Sequence, residues 1–169
     1  MITNNSVLEK EFLEIIKKNQ GIIHKVCNIY CDDQEDKNDL FQEIVAQLWK
    51  SFPSFRKESK FSTWMYRVAL NTAITSFKKT KRRPDQNRLT YDNFQVKDDN
   101  YNIEIEEEIK NLHRAVAQLT GVEKSIVLLY LESKKYEEIA EITGITQNYV
   151  RVKMNRIKKK LKKFMETEE

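Results

Sequence analysis

The sequence is poor in glycine, proline and cysteine, and it has no long apolar run. Its 169 residues include only three glycines, two prolines and two cysteines. Two cysteines cannot supply a disulfide framework, and a membrane span needs roughly 18 consecutive apolar residues, which are absent. The N-terminal residues contain no basic cluster before an apolar stretch, so they do not resemble a secretion signal. These absences predict a soluble, cytoplasmic, nearly all-helical protein without membrane insertion.

The sequence also lacks the residue patterns of most enzyme active sites. It has two histidines, His24 and His113, and neither a Gly-x-Ser-x-Gly motif nor a glycine-rich phosphate loop. The best metal-ligand candidates are His24, Cys27 and Cys31, at i, i+3 and i+7 on one helix face, but zinc favours a fourth ligand. A buried cysteine more often packs as a small hydrophobic residue. The sequence predicts a non-enzymatic protein without cofactor or metal; metal binding or redox sensing by these three residues is the alternative.

Charge is distributed very unevenly along the chain. The net charge of +4, from 30 Lys and Arg against 26 Asp and Glu, conceals four blocks. Residues 32–43 hold six acids and one base, and residues 78–83 hold five bases and no acid. Residues 84–108 hold eight acids and two bases, whereas residues 134–163 hold ten bases and three acids. Separate basic and acidic blocks favour different surfaces for different partners over a uniformly solvated exterior.

Apolar residues recur at helical spacing in two parts of the chain. The pattern predicts an all-α fold of two small helical domains, residues 7–83 and 105–165, joined by an acidic flexible linker over residues 84–104. In the first domain, Gly21 marks either a break in the first helix or a close helix contact, and Ser62 is the predicted N-cap of the last helix. Also in the first domain, Pro53 ends the second helix and Trp64 is expected in the core. In the second domain, Thr120 and Glu123 have the spacing of a capping box.

Residues 136–161 have the pattern of a helix-turn-helix. Gly144 suits a turn that requires a positive φ, and Thr146 is a good cap for the second helix. Apolar positions on that helix face the core, which leaves a polar and basic set exposed: Gln147, Asn148, Arg151, Val152, Lys153, Asn155, Arg156 and Lys160. Such a helix enters the major groove with side chains near base edges, while Lys and Arg hold phosphates. The alternative is a basic amphipathic hairpin that does not bind DNA.

Three segments together resemble a known family. The segments are DLFQEIVAQLWKSFPSF (residues 39–55), FRKESKFSTWMYRVALNTAITSFKKTKRR (residues 55–83) and the helix-turn-helix. In this order they resemble bacterial RNA polymerase sigma factors of the extracytoplasmic-function group of the sigma-70 family. The resemblance implies promoter-specific transcription initiation, with a region 2-like domain over 7–83 and a region 4-like domain over 105–165. Its implied partners are core RNA polymerase (β′ clamp and β flap), promoter DNA in duplex and single-stranded form, and an anti-sigma factor.

The resemblance also implies roles for individual residues. The residues implied to bind core polymerase are Asp39, Leu40, Gln42 and Glu43. Those implied to recognise and melt the −10 element are Phe55, Arg56, Ser59, Phe61, Arg67, Asn71, Lys78, Arg82 and Arg83, with the loop 55–61 and Asn71 enclosing a flipped base. The exposed helix-turn-helix residues are implied to read the −35 element. Aromatic residues interleaved with bases, here Phe55, Trp64, Tyr66 and Phe77, suit unpaired DNA because bases stack on rings.

A stand-alone helix-turn-helix regulator, which binds duplex DNA without polymerase, is the main alternative function. That function explains the C-terminal segment but gives no role to the acidic helix around Glu43 or to residues 55–83. A protein that merely occupies polymerase is a third possibility, and it would not need Asn71 or Arg151.

Overall fold

The computed structural model describes residues 4–81 and 103–167, all of whose regular structure is helical. The helices are α1 (Asn4–Tyr30), α2 (Gln34–Ser51), α3 (Phe61–Lys81), α4 (Ile103–Ala117), α5 (Gly121–Leu131), α6 (Tyr136–Thr143) and α7 (Gln147–Thr167), with a 3-10 turn at Phe52–Ser54. The all-α prediction is confirmed. The predicted linker up to residue 102, together with Arg82 and Arg83, lies outside the described residues. None of the described helices is long and apolar enough to cross a membrane.

Helices α1, α2 and α3 pack on one another around the periodic apolar positions of the first segment. Their buried side chains include Phe12, Ile23, Val26, Leu40, Ile44, Leu48, Trp64, Met65, Ala69 and Leu70. Trp64 is buried as expected. Gly21 lies inside an unbroken α1, and a Cβ there would meet no atom within 4 Å, so both the break and the close helix contact are wrong. The Ser62 cap is also wrong. Helix α3 begins one residue earlier, at Phe61, and the Lys60 carbonyl already accepts from the Trp64 amide at 3.2 Å.

The capping box at the start of α5 forms as predicted. The Thr120 side chain accepts from the Glu123 amide at 3.3 Å, and the Glu123 carboxylate accepts from the Thr120 amide at 2.9 Å. These two bonds satisfy backbone donors that a helix N-terminus leaves unpaired. Helix α5 is buried over most of its length, and it forms the centre on which α6 and α7 pack.

The turn of the helix-turn-helix has the geometry that its glycine permits. Gly144 ends α6 with φ 76° and donates its amide to the Ala140 carbonyl at 2.9 Å. Two residues later, the Thr146 hydroxyl accepts from the Tyr149 amide at 3.1 Å and caps α7. The sequence predictions for Gly144 and Thr146 are both confirmed.

Replacing Gly144 by alanine should destabilise the fold by about 1–2 kcal/mol, because a left-handed backbone is unfavourable for residues with a Cβ. A Cβ at this position would meet no atom within 4 Å, so the penalty is conformational rather than steric. We expect thermal unfolding to shift down by about 2–4 °C per kcal/mol, and Gly144→Asn to lose less than Gly144→Ala. Equal melting temperatures for Gly144→Ala and wild type would contradict this explanation of the turn.

Helices α5 and α6 also pack directly against α1 and α3, which joins the two parts of the chain. The Tyr30 hydroxyl donates to the Gly121 carbonyl at 2.5 Å, and the Lys25 ammonium lies 2.6 Å from a Glu132 carboxylate oxygen. Buried residues from both parts belong to one continuous hydrophobic cluster. The sequence predicts two domains connected by a linker and contains no signal for this direct contact.

Candidate nucleic-acid interface

Helix α7 presents one continuous exposed stripe beside its buried face. The buried side of α7 consists of Val150, Met154 and Ile157, as the periodicity predicts. The exposed residues at i, i+3, i+4, i+7, i+8 and i+11 are Asn148, Arg151, Val152, Asn155, Arg156 and Lys159, which we call the α7 stripe. Such a stripe of amide, guanidinium and ammonium groups can donate to base edges and phosphates along one groove.

The residues predicted to contact DNA from α7 differ in their exposure and in their contacts within the chain. Gln147, the first residue of α7, is exposed, and the Arg151 guanidinium bonds the Asn148 side-chain oxygen at 3.3 Å. Lys153 is half-buried, with its ammonium 5.6 Å from the centroid of the Tyr149 ring. These arrangements keep the stripe polar and leave its side chains at the surface.

Lys160 is exposed, but it forms an ion pair within the chain. Its ammonium lies 2.5 Å from the Glu123 carboxylate, whose side chain is only 3 % exposed. Burial alone raises the pKa of Glu123, but the Lys160 ammonium and the Thr120 amide outweigh it and hold the pKa below its usual value. The sequence could not reveal this pairing because its two residues lie on different helices. Lys159 is the exposed ammonium on the stripe at this level.

Helix α3 carries a second exposed stripe. Arg67, Asn71, Thr75 and Lys78 lie at i, i+4, i+8 and i+11, and we call them the α3 stripe. The structure therefore brings three of the predicted −10 residues onto one face. Arg67 is engaged there by the other part of the chain, since its guanidinium donates to the Glu141 carbonyl of α6 at 2.7 Å.

The loop before α3 is held by an aromatic cluster. The rings of Phe55 and Phe61 have centroids 4.9 Å and 5.2 Å from that of Trp64, and both residues are half-buried. Of the polar loop residues, Arg56 is exposed and Ser59 is half-buried. Ten helical residues separate Phe61 from Asn71, a rise of about 15 Å. That the loop 55–61 and Asn71 enclose one flipped base stays a prediction.

Two further aromatic residues predicted as stacking platforms pack inward instead. Tyr66 is 3 % exposed, and burial together with the Glu132 carboxylate raises its pKa to about 12. Phe77 meets the Tyr30 ring edge-on at a centroid distance of 5.8 Å, with the Lys124 ammonium 4.5 Å from its centroid. The alternation of aromatic and basic residues in the sequence does not show whether a ring packs inside the protein or is free to stack on a base.

Helix α2 presents an acidic face. Asp39, Gln42 and Glu43 are exposed at i, i+3 and i+4, and Glu43 accepts from the Gln47 amide at 3.0 Å. Leu40, predicted as a binding residue, is 4 % exposed and packs in the core, so it supports this face from beneath. Partial burial, a hydrogen bond to Asp33 and repulsion by neighbouring carboxylates raise the pKa of Asp36. A cationic surface would relieve this repulsion.

The two candidate cysteines are withdrawn from solvent, whereas His24 is exposed. Cys27 is buried and Cys31 is half-buried, and burial raises the pKa of their thiols to about 11 and about 12. The His24 ring stacks against Phe41 at a centroid distance of 4.9 Å. In the described residues, no group of three His, Cys, Asp or Glu side chains has the arrangement of a metal site. Neutral thiols are weak nucleophiles and weak metal ligands.

Two family descriptions match separate parts of the chain. Sigma-70 region 2 matches residues 15–83, and sigma-70 region 4 matches residues 109–161. The chain is 30 % identical over 129 residues to RNA polymerase sigma factor SigV of Bacillus subtilis, covering 75 % of this chain and 74 % of that protein. It is 31 % identical over 132 residues to the ECF RNA polymerase sigma-E factor of Escherichia coli, covering 72 % and 69 % of the two chains.

Two solved structures share the fold at low sequence identity. One is CnrH in complex with the cytosolic domain of CnrY, with a TM-score of 0.68, 13 % identity, and coverage of 95 % of this chain and 91 % of that one. The other is the sigma factor RpoE of Bartonella quintana in complex with the anti-sigma factor NepR, with a TM-score of 0.68, 15 % identity, and coverage of 95 % and 99 %.

Proposed function

The chain belongs to the extracytoplasmic-function group of the sigma-70 family of RNA polymerase sigma factors, and we propose that it divides promoter recognition and polymerase binding among three surfaces. The α7 stripe reads the −35 duplex, the α3 stripe and the preceding loop bind the −10 element, and the acidic face of α2 binds core polymerase. This assignment makes residues 7–83 the −10 and polymerase unit and residues 105–165 the −35 unit.

The α7 stripe is the observation that carries this proposal. Its six exposed residues follow one line along the helix, and the left-handed Gly144 ends α6 shortly before α7 begins. Arg151 and Arg156 supply planar donors suited to guanine edges, and Asn148 and Asn155 supply amides suited to adenine. Lys159 supplies a phosphate contact.

The α3 stripe supports binding of an unpaired strand. Asn71 offers a donor and an acceptor to one base edge, while Arg67 and Lys78 attract phosphate on either side of it. The loop 55–61 and Asn71 are proposed to enclose one flipped base, the amide reading its edge. Arg56, Ser59 and the basic residues Arg82 and Arg83 extend the same contact at its two ends.

A stand-alone regulator is disfavoured by the acidic face of α2. Asp39, Gln42 and Glu43 would repel DNA, whereas they suit a basic protein surface such as a polymerase clamp. We further propose that the chain is not itself an enzyme and works in the cytoplasm, where polymerase and DNA are found. An anti-sigma factor is a proposed partner, by analogy with the RpoE and NepR complex.

Removal of Arg151 and removal of Lys159 should have different consequences for promoter use. We expect Arg151→Ala to weaken −35 binding by about 1–3 kcal/mol and to relax base preference at one position. Lys159→Ala should weaken all sequences alike and lower the salt dependence by about one unit of slope. The measurement is binding of reconstituted holoenzyme to promoters selected from genomic fragments by the wild-type holoenzyme, at several salt concentrations.

Lys159 is a better choice than Lys160 for comparison with Arg151. Lys160 is a poor phosphate variant because its loss would leave the buried Glu123 carboxylate without its cation. Losses of equal size and equal sequence independence for Arg151→Ala and Lys159→Ala would contradict base reading by α7.

A further inference from the structure

One member of the α7 stripe has an apolar side chain and has no role in the function proposed above. Val152 is 45 % exposed, whereas the other members of the stripe carry amide, guanidinium or ammonium groups. The proposed base and phosphate contacts use only those polar groups. A single exposed valine is common on protein surfaces, so the case for a function depends on where this valine lies and on what surrounds it.

Val152 lies on the side of α7 that faces away from the core. Successive residues of an α-helix are rotated by about 100°, which places Val152 about 160° from the buried Val150 and equally far from the buried Met154. It also lies within the first two turns of α7, which begins at Gln147. Side chains near the start of a recognition helix are the ones that contact base edges. Packing in the core therefore does not explain an apolar residue at this position.

Helix stability does not favour a valine here either. A β-branched side chain loses rotamer freedom in a helix, so alanine or an unbranched polar residue would stabilise an exposed helical position better. Valine at the centre of the stripe is thus a choice that neither the core nor the helix requires.

The neighbours of Val152 on the helix surface suit DNA better than a protein partner. At i−4, i+3 and i+4 lie Asn148, Asn155 and Arg156, which are all exposed and polar. Together with the exposed Tyr149 at i−3, Val152 forms an apolar area of two side chains, which is far smaller than a stable protein interface. Val152 is therefore an apolar group placed among side chains that are suited to base edges.

The major groove presents one apolar group to such a side chain, the 5-methyl group of thymine. An isopropyl group has no hydrogen-bond donor or acceptor. Against the polar edge of cytosine, it would remove the amino group from water without returning a hydrogen bond, which is unfavourable. Against a thymine methyl group, two apolar surfaces leave water together, which is favourable.

We propose that Val152 recognises the 5-methyl group of one thymine in the −35 element, so that the −35 sequence selected by this chain includes a thymine at the base pair that Val152 contacts. The inference rests on the proposed reading of the −35 duplex by α7. The amides and guanidinium groups of the stripe favour adenine and guanine. Val152 adds a contact that discriminates between the two pyrimidines.

Replacement of single thymines by deoxyuridine tests the contact, because it removes the methyl group and leaves base pairing unchanged. The probe is a promoter fragment selected from genomic DNA by the wild-type holoenzyme, in which each thymine of the −35 element, on either strand, is replaced in turn. We expect one replacement to weaken binding of the wild-type holoenzyme about three- to fivefold, as removal of one buried apolar carbon group does.

Three variants separate this contact from other effects. Val152→Ala should weaken binding to the unmodified promoter by a similar factor and should not respond to deoxyuridine at that position, because the methyl group has then lost its partner. Val152→Thr, which keeps one of the two methyl groups, should keep part of the response. Val7→Ala makes the same change at an exposed position of α1 and should behave as the wild type does. Alanine is a better helix former than valine, so circular dichroism should show that Val152→Ala is folded.

The outcomes distinguish this inference from the proposed function. A wild-type holoenzyme that discriminates among −35 sequences but responds to no deoxyuridine would overturn the methyl contact and leave base reading by α7 standing. A response of equal size in Val152→Ala would also overturn the contact, since another side chain or the shape of the DNA would then sense the methyl group. Indifference of the wild type to every base of the −35 element would overturn the proposed function and the inference together.

Discussion

The Glu43→Lys variant is expected to bind core RNA polymerase roughly 100-fold more weakly than the wild type, because like charges facing one another across an interface cost several kcal/mol. Glu43 is exposed on the same face as Asp39 and Gln42, and Leu40 beneath it fixes that face to the core. A lysine at this position would place a cation opposite the basic polymerase surface to which the acidic face of α2 is proposed to bind. Co-purification of the variant with core enzyme is the measurement.

Two further variants separate the interface from general effects of charge. Glu43→Gln keeps the size and the hydrogen-bonding partner Gln47 but removes the charge, so it should lose less than Glu43→Lys. Glu14→Lys makes the same charge change at an exposed position on α1 and should bind core as wild type does. Circular dichroism checks that each variant is folded. Wild-type affinity of a folded Glu43→Lys chain would show that α2 does not face polymerase.

The Asn71→Ala holoenzyme is expected to lose most transcription from duplex promoters while keeping its affinity for core polymerase. Opening a duplex requires bases to be unstacked, at a few kcal/mol, and contacts made only in the open state must compensate. Asn71 is the exposed amide at the middle of the α3 stripe, between Arg67 and Lys78. Its removal should delete the proposed contact to a base edge and leave the proposed phosphate contacts in place.

The test uses a duplex promoter and the same promoter with a pre-melted −10 region, of native or scrambled sequence. The pre-melted template should restore part of the activity of Asn71→Ala, since the unstacking energy is supplied beforehand. Discrimination between native and scrambled bubbles should fall. Lys78→Ala should instead reduce binding to both bubbles equally, because a phosphate contact carries no sequence information. Full discrimination by Asn71→Ala would mean that another residue reads the base.

Local rules predicted the parts of this fold that depend on near neighbours in sequence. The capping box of Thr120 and Glu123, the left-handed Gly144 and the Thr146 cap each involve residues at most four positions apart. The buried face of α7 follows from helical periodicity alone, and that periodicity also identifies the α7 stripe. The predicted Ser62 cap is the exception, because α3 begins at Phe61, one residue before the residue type best suited to cap it.

Contacts between distant residues could not be predicted in this way. Lys160 was expected among the DNA contacts, but its partner Glu123 comes from another helix. Tyr66 was expected at an open surface, but it is buried, with its hydroxyl near Glu132 of the second part of the chain. Arg67 is exposed as expected, and its guanidinium donates to the Glu141 carbonyl of α6. Composition and periodicity predict which residues share a helix face, but they do not predict which other helix packs against that face.

The Glu123 carboxylate also connects α5 to α7. One of its oxygens closes the first turn of α5 through the Thr120 amide, and the other holds α7 through Lys160. Neither helix can tilt alone without stranding a buried negative charge, which is strongly unfavourable. Helices α5 and α7 are therefore expected to move together, so the α7 stripe keeps its position relative to α5.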